Sequence, residues 1–116
     1  MNTRPVLLLV DDDSEIRDQM KWAFASDYEL LEASDRSSAL AHARQAMPRL
    51  VLLDLGLPPD PDGASEGLAI LQGILEVNPM AKVIVVTGNS DRANALAAIA
   101  NGAYDFIEKQ IGRAHV

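Results

Sequence analysis

Five short apolar segments alternate with segments of helical periodicity along the chain, and this alternation restricts the fold more than any other feature. The apolar segments are VLLLV (6–10), YELLEA (28–33), LVLLDL (50–55), KVIVVTG (82–88) and AYDFIEK (103–109). Each has the length of a β-strand, and strands that alternate with helices are typical of parallel sheets. The sequence therefore predicts an α/β domain in which helices cover both faces of one five-stranded parallel sheet.

Helix signals lie between the apolar segments. Four residues can cap or begin the helices: Ser14, Asp35, Ser65 and Asp91. Apolar residues at helical spacing form the expected inward faces of the first two helices: Ile16, Met20, Ala23, Phe24, Ala39, Leu40, Ala43 and Met47. Pro48, the pair Asn78-Pro79 and the pair Asn101-Gly102 are typical helix ends.

Composition limits the class of protein and its partners. A chain of 116 residues with 48% hydrophobic residues is long enough for one domain with a core and too short for two. Its formal charge of −7 disfavours direct binding to nucleic acid or to anionic lipid. The chain contains no cysteine, and its apolar runs are too short to span a membrane. These features favour a cytoplasmic location.

Polar residues with distinctive chemistry follow the predicted strands. They are Asp11 and Asp12 after the first, Asp54 after the third, Thr87 after the fourth and Lys109 after the fifth. In a parallel sheet these ends share one edge, which is where open α/β sheets bind ligands. Three carboxylates there would repel one another unless a divalent cation joined them, and magnesium is suited to such oxygen ligands. Lys109 and Thr87 suggest a phosphoryl group, with Asp54 as the candidate nucleophile.

Four segments of the sequence resemble the receiver domains of bacterial two-component response regulators. They are LLLVDDDSEIR, LVLLDLGLP, VIVVTG and GAYDFIEK, and they match the family in order and spacing over nearly the whole chain. The resemblance implies a flavodoxin-like doubly wound fold with strand order 2-1-3-4-5. It also implies phosphorylation of Asp54 by a sensor histidine kinase. Magnesium would be bound through Asp12, Asp54 and the Gly56 backbone carbonyl, with Asp11 helping through water.

The resemblance also implies a switch. Thr87 would move toward the phosphoryl group while the aromatic Phe106 turns inward, which reshapes the face made by the fourth helix and the fifth strand. Gly56 and Asn89 occupy the two positions whose side chains tune dephosphorylation in the family, and Gly56 offers no side chain there. Asp13, by contrast, is expected at the positive end of the first helix rather than on the metal.

Three features depart from the family pattern. Lys109 is followed by Gln110, where most receivers have proline. The chain ends at Val116, where receivers carry a fifth helix, so the expectation for residues 1–116 is one C-terminally truncated receiver domain whose residues 111–116 are candidates for a non-native tail. Apolar surface exposed in this way would favour a homodimer or a segment-exchanged oligomer. The long loop at 56–67 resembles that of some transcription-activator receivers, which suggests an enhancer-dependent activator as the parent protein.

Three functions are compatible with these residues. The first is a phosphorylation-controlled switch that promotes its own phosphorylation but is not a metabolic enzyme. The second is a degenerate receiver that serves as a protein-binding scaffold. The third is an aspartyl-phosphate phosphohydrolase, which is disfavoured because that family needs an acid where this chain has Gly56.

Overall fold

Five strands and four helices make up the described part of the chain. The structure, a computed structural model, describes residues 4–60, 63–88 and 92–108. The strands are β1 (Val6–Val10), β2 (Glu29–Ala33), β3 (Leu50–Asp54), β4 (Lys82–Thr87) and β5 (Asp105–Glu108). The helices are α1 (Ser14–Phe24), α2 (Arg36–Ala46), α3 (Ser65–Val77) and α4 (Arg92–Ala100). All strand pairs are parallel, in the order β2-β1-β3-β4-β5, which confirms the predicted fold and topology.

The core consists of two layers because side chains alternate between the two faces of each strand. On β1, Leu8 and Val10 face a large cluster that includes buried residues of α2, α3 and α4. Leu7 and Leu9 face a smaller cluster to which α1 contributes Met20 and Phe24. The central strands are therefore apolar on both faces, as the continuous run VLLLV indicated.

The inward faces expected for α1 and α2 are only partly confirmed. No residue of α1 is fully buried, and Ala23, expected inward, is exposed, because this helix contacts the sheet along a narrow stripe that includes Met20 and Phe24. Ala39 and Ala43 of α2 are buried as predicted. Met47 is 47% exposed, because it ends the helix in a left-handed conformation with φ of 48° and so leaves the helical face.

Aspartates cap the first two helices. Ser14 was expected to cap α1, but the cap is Asp13, whose carboxylate accepts the backbone N–H of Glu15 at 2.9 Å. The predicted cap was one residue too late in the chain, because Ser14 already lies within the first helical turn. Asp35 caps α2 as predicted and accepts the N–H of Ser38 at 2.9 Å.

The start of α3 and the end of α4 involve residues that lie outside the helices themselves. Helix α3 begins at Ser65 as predicted, but its own N-terminal neighbour Ala64 supplies no side-chain acceptor. Asp60, in the preceding loop, accepts both the backbone N–H and the hydroxyl of Ser65, at 3.3 and 2.7 Å. Asp91, expected to begin α4, lies outside the described residues. Gly102 follows α4 with φ of +109°, which fits the predicted helix end.

The described ranges contain four helices and no fifth, and residues 109–116, which bear on that expectation, lie outside them. Within the same ranges, none of the helices has the length and apolar character needed to cross a bilayer.

Candidate functional site

The register of β1 and β3 brings two aspartates to the same point of the sheet edge. Val10 pairs with Leu53, so the next residues along the two parallel strands are Asp11 and Asp54. Asp11 continues the ladder on its other side, because its N–H donates to the carbonyl of Ala33 at 3.1 Å. The central position of both strands explains why these two carboxylates are buried, with exposures of 1% and 5%.

Asp12 completes a cluster of three carboxylates. One oxygen from each of Asp11, Asp12 and Asp54 lies within 4.8 Å of the others, and Asp12 is the exposed member. Three oxygen donors at this spacing, two of them shielded from water, suit a hard divalent cation such as magnesium. The three carboxylates predicted to converge at the sheet edge therefore do converge.

Local hydrogen bonds orient the two buried carboxylates. Oδ1 of Asp11 accepts the N–H of Asp13 at 2.9 Å, and Oδ1 of Asp54 accepts the N–H of Gly56 at 3.2 Å. In both cases an aspartate accepts from the residue two positions ahead, which is the geometry of an Asx turn. Asp13 itself caps α1 and is not part of the cluster, in line with the structural role expected for it.

Thr87 and Phe106 lie on one face of the neighbouring strands. Thr87 is the last residue of β4 and is buried, one position beyond Val86, which pairs with Asp54. Phe106 pairs with Val85, and residues two apart on a strand share a face, so Thr87 and Phe106 are diagonal neighbours. Phe106 is half-buried against the larger core cluster. This placement is compatible with the coupling expected of a switch pair.

Two predicted site residues, Lys109 and Asn89, lie outside the described residues, so their roles stay predictions. Gly56 is half-buried directly after the Asp54 turn, and its backbone N–H is already engaged with that carboxylate.

Arg17 contacts the site, although the sequence reasoning did not single it out. Its Nη1 donates to the backbone carbonyl of Asp11 at 2.6 Å, and its Nε donates to the Glu32 carboxylate on β2 at 2.9 Å. The hydrogen bond from Arg17, together with the hydrogen bond and the charge of Lys21, holds the pKa of Glu32 below its usual value against the opposing effect of burial. An arginine one helical turn after the cap residue is the only sequence signal that could have indicated this contact.

The sequence did not indicate that Gly67 has a structural role beside the site. A Cβ at this position would lie 2.6 Å from the Cα of Leu55, so the first turn of α3 packs directly against the backbone that follows Asp54. Only a residue without a side chain permits this approach.

Comparison with known proteins identifies the family. The sequence-family model of the response regulator receiver domain matches residues 7–116. This chain belongs to that family. The receiver domain is 32% identical over 110 residues to the C4-dicarboxylate transport transcriptional regulatory protein DctD of Rhizobium meliloti, and 34% identical over 104 residues to the nitrogen assimilation regulatory protein NtrX of Azorhizobium caulinodans. These alignments cover 94% and 89% of this chain.

A solved structure shows the same fold. The crystal structure of the receiver domain of NtrX from Brucella abortus superposes with a TM-score of 0.79 at 38% identity, covering 89% of this chain and 84% of that one. The chain spans only 23% and 22% of the lengths of the DctD and NtrX relatives. The similarity therefore concerns the receiver portion of those longer proteins.

Proposed function

We propose that this receiver domain is a signalling switch that accepts a phosphoryl group on Asp54 from a sensor histidine kinase. The observation that carries the proposal is the convergence of Asp11, Asp12 and Asp54 at the sheet edge of a receiver fold. Two buried carboxylates and a third, exposed one offer converging oxygen ligands to a divalent cation, at the edge where open α/β sheets bind ligands.

The donor set fits magnesium. Asp12 and Asp54 would hold the ion together with the Gly56 carbonyl, and Asp11 would contribute through a water molecule. When bound, the ion would neutralise charge on the carboxylates and on the incoming phosphoryl group. The chain's own hydrogen bonds keep the Asp11 and Asp54 carboxylates oriented for this purpose.

The proposed reaction is a phosphoryl transfer between two side chains. A carboxylate oxygen of Asp54 attacks phosphorus, an oxygen–phosphorus bond forms, and the phosphorus–nitrogen bond of the kinase phosphohistidine breaks. The departing imidazole recovers a proton from solvent. The Thr87 hydroxyl and the Lys109 ammonium are the proposed donors to the phosphoryl oxygens.

The output would be a change at the face made by α4 and β5. Thr87 gains a phosphoryl partner only in the modified state, and Phe106, its diagonal neighbour, would follow it. Exposed large hydrophobic residues on and beside this face are Leu96, Ile99, Tyr104 and Ile107. Such a patch suits a protein partner, and we propose a second copy of the receiver or an output domain as the occupant.

The relatives suggest the biological role of the longer protein. DctD is named as a transcriptional regulatory protein, and the 32% identical NtrC of Salmonella typhimurium is named as a DNA-binding transcriptional regulator. We propose that the receiver controls a transcriptional output of this kind. The net charge of −7 supports a role in which this segment does not itself contact DNA.

The test is incubation of the chain with acetyl phosphate and magnesium, followed by its intact mass under conditions that preserve acyl phosphates. We expect a gain of one phosphoryl group that disappears with EDTA and in Asp54→Asn. Asp18→Asn, which removes an exposed carboxylate on α1, is the matched control and should be phosphorylated like the wild type. No gain in folded protein would refute the proposal and favour the scaffold function instead. Steady turnover of phosphate esters would point to the hydrolase.

A further inference from the structure

Arg17 joins three elements at one side of the acidic cluster. Its side chain is only 18% exposed, and it extends from α1 to the end of β1 and to β2. Its Nη1 donates a hydrogen bond to the Asp11 carbonyl oxygen, and its Nε donates one to the Glu32 carboxylate. Because the guanidinium is planar and rigid, the second contact fixes the direction of the first.

The carbonyl that Arg17 holds belongs to the peptide unit between Asp11 and Asp12. The N–H on the other side of Asp11 donates to Ala33 on β2, and the Asp11 side chain accepts from Asp13. The peptide unit is thus held at the point where the chain leaves the strand and turns toward α1. Its orientation determines where the Asp11 and Asp12 side chains point, since it sets the backbone dihedrals on both sides.

We propose that Arg17 is a positioning residue for the magnesium site: it fixes the Asp11–Asp12 peptide unit and so orients two of the three carboxylates that would bind the ion. This inference rests on the proposed function, because the ion it concerns is the one expected for phosphorylation. Residues that orient metal ligands commonly change metal affinity by about 10–100-fold when they are replaced.

The positive charge of Arg17 affects magnesium affinity in the direction opposite to its positioning role. A guanidinium beside the cluster repels a divalent cation, so removing the charge alone would strengthen magnesium binding. Loss of positioning would weaken it. The sign of the change in affinity therefore distinguishes the two roles.

Three variants make the experiment decisive. Arg17→Lys keeps the charge but cannot reach both acceptors in the same rigid geometry, and Arg17→Met removes charge and hydrogen bonds together. Lys21→Met is the matched control, because Lys21 also pairs with Glu32, at 3.2 Å, but its other partner is Asp18. Isothermal titration with magnesium chloride should show binding about tenfold weaker in both Arg17 variants and nearly unchanged in Lys21→Met.

Metal-free protein provides a second readout. Hydrogen exchange of the Asp13 amide, measured by NMR, should be faster in both Arg17 variants than in the wild type or Lys21→Met, because Asp13 donates to the carboxylate that Arg17 helps to place. Circular dichroism establishes that each variant is folded.

Other results would overturn the inference. If magnesium affinity were unchanged in Arg17→Lys and higher in Arg17→Met, Arg17 would affect the site only through its positive charge and not by positioning the ligands. Equal weakening in all three variants would assign the effect to the ion-pair network around Glu32. If the wild type failed to bind magnesium, the proposed function would be wrong, and unaltered exchange at Asp13 would then reject the positioning role separately.

Discussion

Replacing Gly67 by alanine tests the close packing of α3 against the end of β3. The added Cβ would lie 2.6 Å from the Cα of Leu55 and 2.9 Å from its carbonyl oxygen, whereas ordinary contacts begin near 3.4 Å. These are backbone atoms, which cannot move out of the way as a side-chain end can. Either the first turn of α3 must move outward or the residue after Asp54 must shift.

The expected cost follows from these distances. Overpacking of this kind destabilises a protein by about 1–3 kcal/mol. Alanine is better than glycine within a helix by up to about 1 kcal/mol, which offsets part of the loss. We therefore expect the free energy of unfolding to fall by about 1–2 kcal/mol, which corresponds to a decrease in Tm of several degrees, on the order of 5 °C per kcal/mol.

Gly73→Ala is the matched control within the same helix. Its added Cβ would also meet an atom at 2.6 Å, but that atom is Cδ2 of Leu40, at the end of a flexible side chain. The gain in helix propensity and the cost of moving Leu40 should nearly cancel, to within about 1 kcal/mol of the wild type.

Urea unfolding followed by circular dichroism measures both variants. We also expect Gly67→Ala, but not Gly73→Ala, to slow phosphorylation, because the displaced backbone directly follows Asp54. Equal free energies of unfolding for the two variants would refute the reasoning, since it depends on the difference between a backbone and a side-chain neighbour.

Two further predictions concern the core and the Arg17 network. Ile70 is fully buried in α3, so Ile70→Ala should lower the free energy of unfolding by about 2–5 kcal/mol. Leu96→Ala, at an exposed position, should change it by less than about 0.5 kcal/mol. Urea unfolding measures both variants, and similar losses would contradict the assignment of Ile70 to the core. The hydrogen bond from Arg17 lowers the pKa of Glu32 below 4.5, so its stabilising effect should be complete above the unfolded pKa and be lost as pH falls through the folded one. The Tm difference between wild type and Glu32→Gln should therefore be constant from neutral pH to about pH 5 and begin to shrink at lower pH. A difference that stays constant down to about pH 3 would contradict this.

The fold class could be predicted from the sequence because its signals are local. Runs such as VLLLV are apolar without interruption, which indicates a strand buried on both faces, and helical spacing between runs indicates the covering helices. The order of the strands was not readable from these patterns. It came from the resemblance to receiver domains, and the structure confirms it.

The helix ends show the limit of local signals. Asp35 was identified correctly as a cap, but the cap of α1 is Asp13, one residue before the predicted Ser14, because Asp and Ser are both good caps and the sequence does not distinguish adjacent candidates. For α3 the acceptor is Asp60, five residues before the helix, and this contact depends on the path of the loop.

The sequence by itself determined the chemistry of the site: aspartates directly after apolar strands must be carried to one edge of a parallel sheet. Tertiary structure decided how they are held there. The pairing of Val10 with Leu53 places Asp11 beside Asp54, and the contact from Arg17 joins α1 to that edge. Such contacts join residues that lie apart in the chain, so they depend on strand register and helix packing, which only the folded chain specifies.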